Sequence, residues 1–400
     1  MAKISRRAVE MPASPIRKLA PYADHAKKRG IKVYHLNIGQ PDIPTPREIF
    51  DAISSHSEEV LSYGPSQGLA ALRTTIVEYL ARFGIDVETE DVMVTTGGSE
   101  AILFAMLVVC DRGDEIIVPE PFYTNYNGYA VIAGVTLIPL LTYAKNGFRP
   151  PRKESIVAKV TPRTRAILVC SPNNPTGVVY TREELDGIAE ISLNRELFVL
   201  SDEVYREFTF DGRTHTSMLQ MKKVQDRVIV MDSISKRFSS CGARIGFIVS
   251  RNRQVMEALL KFGQARLCPP TLEQIGAIAA FGCFDKYMPS LVKQYEKRRD
   301  AVYGELLQIP GVICKKPEGA FYAVVKLPIK DSEEFAKWML TEFSVDGKTT
   351  MIAPANGFYA SKWMGLDEAR IAYILEEEDL RDAVRILREG LATYRSKLNL

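Results

Sequence analysis

The chain has 400 residues, too many for one simple core; the length suits two or three domains, or one large domain with a smaller partner. Its 46% hydrophobic and 25% charged residues are ordinary for a soluble globular protein, and a net charge of +3 lacks the large positive field on which dedicated nucleic-acid binding rests. No apolar run approaches the roughly 18 residues that span a bilayer, so no membrane segment is expected.

Met1 to Arg7 is basic but leads into no apolar core or cleavage site, so no secretory signal is expected and a cytoplasmic location is. Residues 1–30 read as an arm followed by a basic helix, Ile16 to Arg29. Val33 to Asn37 is strand-like and runs into Ile38-Gly39-Gln40-Pro41-Asp42, where Gly39 lets backbone N–H groups approach a ligand. A plain turn explains the same residues. Pro46 to Val60 is expected as a helix, followed by the loop Ser62 to Gly68 with a single aromatic, Tyr63.

From about residue 90 strands and helices alternate, which predicts an α/β domain around a parallel sheet. Val92 to Thr95 is a strand, and Thr96-Gly97-Gly98-Ser99-Glu100 opens a helix over Ala101 to Cys110. Glycines at a helix start leave free N–H groups where the helix dipole favours an anion; ordinary N-capping by Ser99 is the alternative. Ile116 to Val118 is a strand, and Pro119-Glu120-Pro121-Phe122-Tyr123 after it carries aromatics that look exposed. Strand Val135 to Leu140 follows another helix. Ala166 to Cys170 is wholly apolar, as in a strand covered on both faces, and ends in Ser171-Pro172-Asn173-Asn174-Pro175-Thr176-Gly177. The next helix opens with a capping box, Thr181 to Glu184. Leu197 to Leu200 ends in Ser201-Asp202-Glu203-Val204-Tyr205, with an aspartate where open α/β sheets present ligand contacts.

Strand Val228 to Met231 leads to Ser233-Ile234-Ser235-Lys236, and Arg244 follows eight residues after the lysine. An amine at the end of a buried strand, partly desolvated or beside positive charge, loses its proton more easily and can form a Schiff base. A surface loop with ordinary basic residues would read the same way in isolation. Gly246 to Val249 is the expected odd strand of the sheet. Beyond 250 helices dominate, at 251–262, 271–283 and 286–308. A mixed segment then has strands at Phe321–Val325 and Arg370–Leu375 and helices at 331–343 and 376–395, as in a small α+β lobe. The six cysteines form no CxxC pair and read as reduced thiols, and the four histidines form no clustered ligand pattern, so no metal site is expected.

Taken together, the glycine-rich helix start, SPNNPTG, SDEVY, SISK and the arginine eight residues on resemble, in order, the motifs of the class I/II aminotransferases of fold type I, which use pyridoxal 5′-phosphate. The resemblance runs from Gly39 to Arg370. It implies a three-layer α/β/α large domain with a mostly parallel seven-stranded sheet and a smaller α+β domain. Residues 1–48 would be an arm and part of the small domain, 49–285 the large cofactor-binding domain and 286–400 the C-terminal small domain. It implies a homodimeric transferase of amino-acid metabolism, with small-molecule amino acid and 2-oxo acid substrates.

The resemblance also implies roles. Lys236 would hold the cofactor as a Schiff base and act as acid and base. Asp202 would pair with the pyridine nitrogen; a charge pair at about 4 Å is worth roughly 4 kcal/mol at an effective dielectric near 20, or about three pKa units. Asn174 and Tyr205 would donate to the ring oxygen, and Tyr123 would stack on the ring. Gly98, Ser99, Ser233 and Arg244 would form the phosphate cup, and Tyr63 would reach the phosphate of the neighbouring subunit. Arg370 would grip the substrate carboxylate with its planar fork, helped by Asn174 and the Gly39 N–H.

Donor choice is open at this level. Ser99 stands where one bacterial branch of aspartate-specific members has a lysine for the distal carboxylate. Arg266, in a segment similar to one of alanine aminotransferases, is either a substitute cation or part of an inter-subunit salt bridge. An aspartate, alanine or aromatic donor, a β-lyase or decarboxylase on the same fold, and a regulator module are the competing readings. The regulator is disfavoured because the 30-odd residues before the first strand hold no helix-turn-helix domain. A P-loop is excluded at Gly347-Lys348-Thr349, because Glu342 stands at the required first glycine.

Overall fold

The computed structural model describes residues 2–398. The outermost residues of the first and last expected domains, 1 and 399–400, lie outside the described residues. In chain order the strands are β1 (Lys32–His35), β2 (Val92–Thr96), β3 (Glu115–Glu120), β4 (Thr136–Leu141), β5 (Thr164–Cys170), β6 (Phe198–Asp202), β7 (Val228–Ser233), β8 (Ile245–Val249), β9 (Tyr322–Lys326), β10 (Lys348–Met351), β11 (Ala353–Pro354) and β12 (Glu368–Ala372).

Seven of them make one sheet in the order β2-β8-β7-β6-β5-β3-β4. β4, β3, β5, β6 and β7 run parallel, and β8 lies antiparallel between β2 and β7, the odd strand foreseen in the sequence. All residues of β3, β7 and β8 are buried, because helices cover both faces; this is why the runs Ile116–Val118, Val228–Met231 and Ile245–Val249 within them are apolar without alternation. The parallel pairing places Cys170 opposite Asp202 and Asp202 opposite Met231. The carboxyl ends of β5, β6 and β7 therefore finish side by side, and the segments carrying Asn174, Asp202 and Lys236 leave from one edge.

The second unit holds a three-stranded sheet, β11-β12-β9, and a parallel pair, β1 with β10. Its core joins Leu19 and Leu36, near the N-terminus, to Leu291, Phe335 and Leu387. Tyr205 and Phe208, just after β6, share that core and so tie the two units together next to the site.

Several element boundaries differ from expectation. The helix expected over Pro46 to Val60 stops at Ser54. Ile49 and Ile53 pack at Gly276, and the polar run Ser54-Ser55-His56-Ser57 offers no apolar residue to continue that stripe. The helix expected from Ala101 begins at Gly97, and its start is capped by Glu100, whose Oε2 accepts from the Thr96 N–H at 2.7 Å, not by Ser99. The expected strand Arg370–Leu375 is Glu368–Ala372, fixed by pairing from Glu368↔Lys326 to Ala372↔Tyr322. Arg370 is thus a mid-strand residue. Phe122, expected to be exposed, is buried beside Tyr126 with ring centroids 5.9 Å apart. The capping box at Thr181 forms as expected.

Candidate active site

A cavity of about 870 Å³ opens where the large sheet's carboxyl edge, the small unit and the N-terminal arm meet. Every expected site residue except Tyr63 lines it: Gly39, Gly98, Ser99, Tyr123, Asn174, Asp202, Tyr205, Ser233, Lys236, Arg244 and Arg370.

Lys236 sits in the short helix Ile234–Arg237, directly after β7. Its side chain is half-buried; Nζ donates to the Gly39 carbonyl at 2.8 Å and lies 3.6 Å from Cys241 Sγ. Asp202, the last residue of β6, is buried. Oδ2 accepts from the Tyr126 hydroxyl at 2.6 Å and Oδ1 from the Val204 N–H at 3.4 Å. Burial pushes its carboxyl up to about 6, against the stabilising bond from Tyr126.

One end of the cavity is built for an anion. The N–H groups of the first turn of Gly97–Val109 have no partners within the helix, and Gly98 and Ser99 face the cavity. Gly97 has φ +76°, and a side chain there would run into the Arg244 guanidinium; at Gly246 it would run into the Gly97–Gly98 peptide. Arg244 is held by one bond, from Nη1 to the Cys241 carbonyl at 2.9 Å. The Ser233 hydroxyl donates to the Ile245 carbonyl at 2.8 Å, so its proton is already placed. Ser235, which the sequence reading passed over, contacts Ser233 Oγ at 2.8 Å and lines the cavity.

Arg370 is 2% exposed. Nη1 donates to Asn174 Oδ1 at 3.2 Å and Nη2 to the Asn37 carbonyl at 2.6 Å, while Nε is buried without a partner. Burial lowers its pKa from the ordinary arginine value. The rings of Tyr322 and Phe358 lie 4.6 and 5.0 Å from its Cζ.

These contacts share one property. Among the described residues, Lys236, Arg244 and Arg370 are bonded only to neutral acceptors, and Asp202 only to neutral donors. Burying a charge without a counter-charge is costly, so the cavity is complementary to a ligand that brings the missing ones. It calls for an anion at Arg244 and the helix start, a carboxylate at Arg370 and a cationic N–H at Asp202. The expected cofactor, with its phosphate and pyridine nitrogen, together with an amino acid's carboxylate, fits that set.

Beneath the site lies a buried ionic network absent from the sequence reading. Arg237 donates from Nε to Glu207 Oε1 at 2.6 Å and from Nη2 to Asp232 Oδ1 and Oδ2 at 3.1 and 3.0 Å. Arg206 pairs with Glu203 at 3.0 Å and Asp232 at 3.3 Å. Burial pushes the Glu203 carboxyl up, but Arg206 and His215 outweigh it and hold it down at about 2. Arg237 adjoins Lys236, so the network fixes the backbone that carries the lysine. Tyr126 and Tyr322 were also missed: Tyr322 lies in the apolar run Ala320 to Val325 and reads as core, and Tyr126 lies between two asparagines in a helix with no motif to mark it.

Two residues lie elsewhere. Tyr63 is 81% exposed on the loop after the third helix and does not line this cavity. Arg266 is turned away too: its Nε pairs with Glu100 Oε1 at 3.3 Å, and Nη2 donates to the Ser66 and Val94 carbonyls, both at 3.3 Å. It braces the helix start from behind and supplies no charge to the cavity.

The sequence model of the family described as aminotransferase class I and II matches residues 31–349. An aspartate aminotransferase of Bacillus subtilis (strain 168) is 32% identical over 386 residues, covering 94% of this chain and 96% of the relative. The crystal structure of an aspartate aminotransferase from Thermotoga maritima superposes with a TM-score of 0.89 at 29% identity, over 97% of this chain and 100% of that one. An alanine aminotransferase from Pyrococcus furiosus gives 0.88 at 32% identity, over 98% and 100%.

Proposed function

The chain belongs to the aminotransferase class I and II family, and from that premise we propose that it moves the amino group of L-aspartate or a similar amino acid to a 2-oxo acid, with 2-oxoglutarate as acceptor. The observation that carries the residue assignment is the set of unmatched charges, Lys236, Arg244, Arg370 and Asp202, around one cavity.

Pyridoxal 5′-phosphate supplies an electron sink for the pair left on the substrate when a proton leaves its α-carbon. The chain's own groups do the rest. Lys236 Nζ would carry the cofactor and, once free, take that α-proton and return a proton to the next atom. Asp202, at the end of β6, would hold the ring nitrogen protonated. Asn174 and Tyr205 would donate to the ring oxygen, and Tyr123 would cover the ring face. Gly98, Ser99, Ser233, Ser235 and Arg244 would hold the phosphate. Arg370 would bind the α-carboxylate with the N–H of Gly39, excluding water from it.

The arm and residues up to 48, the span 49–285 and the span 286–400 are proposed as arm with part of the small domain, large domain and small domain. A homodimer belongs to the proposal as well. Tyr63, Val60, Leu61 and Leu267 are exposed, at 81%, 70%, 59% and 51%, and would be covered by a second copy, with Tyr63 crossing to its phosphate site. No helix among the described residues is long and apolar enough to cross a membrane, and a cytoplasmic location is proposed.

Arg17 of the arm lines the cavity, and its charge supports an acidic donor. Uncharged Ser99 and the pairing of Arg266 with Glu100 favour a second reading, a small neutral donor such as alanine. Titration of the cofactor-loaded protein with L-aspartate, then L-alanine, separates them. The proposal expects aspartate to convert the bound cofactor to its amine form. Conversion by alanine alone would favour the second reading, and release of pyruvate or CO₂ without the amine form would mean a lyase or decarboxylase.

A further inference from the structure

Tyr322, the first residue of β9, is 2% exposed and lies in the cavity wall. Its single side chain touches three of the groups assigned above. The hydroxyl is 2.9 Å from the Tyr205 hydroxyl, a pair in which either oxygen can donate, and 3.5 Å from the Gly39 carbonyl oxygen, the same carbonyl that takes Lys236 Nζ at 2.8 Å. The ring lies against the Arg370 guanidinium, 4.6 Å from Cζ, with Phe358 also against it at 5.0 Å. Gly39 is required here, because a Cβ at that position would overlap the Tyr322 hydroxyl.

We propose that Tyr322 is a positioning residue that sets the carboxylate clamp and the ring-oxygen donor in register. Its two halves do different work. The ring fixes the plane of Arg370, whose in-plane Nη groups are already tied to Asn174 and Asn37, so that the free Nε–H keeps one direction. The hydroxyl has one proton; given to Tyr205 at 2.9 Å rather than to the Gly39 carbonyl at 3.5 Å, it leaves the Tyr205 proton free for the cavity and makes Tyr205 a stronger donor, since hydrogen bonds in series polarise one another. Substrate carboxylate and cofactor ring are thereby read through one rigid side chain.

This inference rests on the assignment of Arg370 and Tyr205 made above. Its test compares Tyr322→Phe with Tyr322→Leu in the cofactor-loaded protein. Tyr322→Phe keeps the ring and loses the hydroxyl. The pH midpoint of the cofactor–lysine absorption band should rise by roughly half a unit or more, because the donor to the ring oxygen is weakened, while KM changes less than about threefold. Tyr322→Leu removes the ring as well, and KM for both amino acid and 2-oxo acid should rise about tenfold. A midpoint in Tyr322→Phe equal to that of the parent would overturn the role of the hydroxyl, even if Tyr322→Leu fails to fold. An unchanged KM in a loaded Tyr322→Leu protein would overturn the role of the ring. If the parent protein binds no cofactor, the functional assignment itself falls and this inference with it; parent-like variants on a loaded parent sink this inference alone.

Discussion

Asp202→Asn gives a prediction whose size follows from burial. The carboxyl sits at about 6 in the folded protein, raised from 3.8 chiefly by burial. That gap is roughly two pKa units, or about 3 kcal/mol at 1.36 kcal/mol per unit. The sign is fixed by linkage. Between the unfolded and folded values the folded chain holds the extra proton, so this group's contribution is fully present below about 3.8 and is lost as pH rises through about 6. The cofactor-free protein should therefore carry a buried carboxylate penalty at pH 8 that Asp202→Asn lacks. A constant offset from the asparagine's altered hydrogen bonds does not depend on pH, so the informative quantity is the change in the difference between the two proteins. Urea unfolding at pH 4.5 and at pH 8 should show that difference moving by roughly 2 kcal/mol in favour of the variant at the higher pH. Cofactor affinity should run the other way: in the parent it rises with pH up to about 6 as the carboxylate forms to meet the ring cation, and in the variant it is weaker and flat. A difference in stability that stays constant across this range, or an affinity profile shared by both proteins, would refute the reasoning.

Further predictions follow from other contacts. Arg370→Lys removes the planar fork and should raise KM for amino acid and 2-oxo acid by about ten- to a hundredfold, the worth of a charge-assisted bond, with cofactor binding read by absorbance unchanged. Arg237→Met leaves Glu207 buried without its ion-pair partner and Asp232 with Arg206 alone, and should cost about 3–5 kcal/mol in urea unfolding of the cofactor-free protein; a loss under about 1 kcal/mol would contradict the network's role. Arg266→Gln should leave the ratio of kcat/KM for aspartate and alanine within about threefold, because the guanidinium faces Glu100 and backbone carbonyls; a larger shift toward alanine would restore it as a substrate cation.

The sheet was legible because strands buried on both faces leave unbroken apolar runs, as in Ala166 to Cys170 and Val228 to Met231. The lining of the candidate cavity was legible where its residues fall in short contiguous segments at strand ends: Asp202 and Tyr205, Ser233 and Lys236, Asn174. Arg370 was found through its motif, but its setting was misread. Tyr373, Ile374 and Leu375 prolong the apolar run past the point where pairing ends, and periodicity alone cannot see the partner strand. Tyr126 and Tyr322 left no signal, since their hydroxyls act only once strands and helices distant in sequence meet. The same holds for Arg237, which reads as a surface residue beside a lysine yet is buried against two carboxylates. Tyr63 is the converse case: the motif names it, and the single chain leaves it exposed.

The most direct measurement is the visible absorption spectrum of the purified protein and its Lys236→Ala variant, each supplied with pyridoxal 5′-phosphate. The parent should show a pH-dependent band from the lysine-bound cofactor, Lys236→Ala should lack it, and L-aspartate should remove it as the amine form accumulates. A parent that shows no bound chromophore, or a Lys236→Ala variant with the same band, would contradict the role of Lys236.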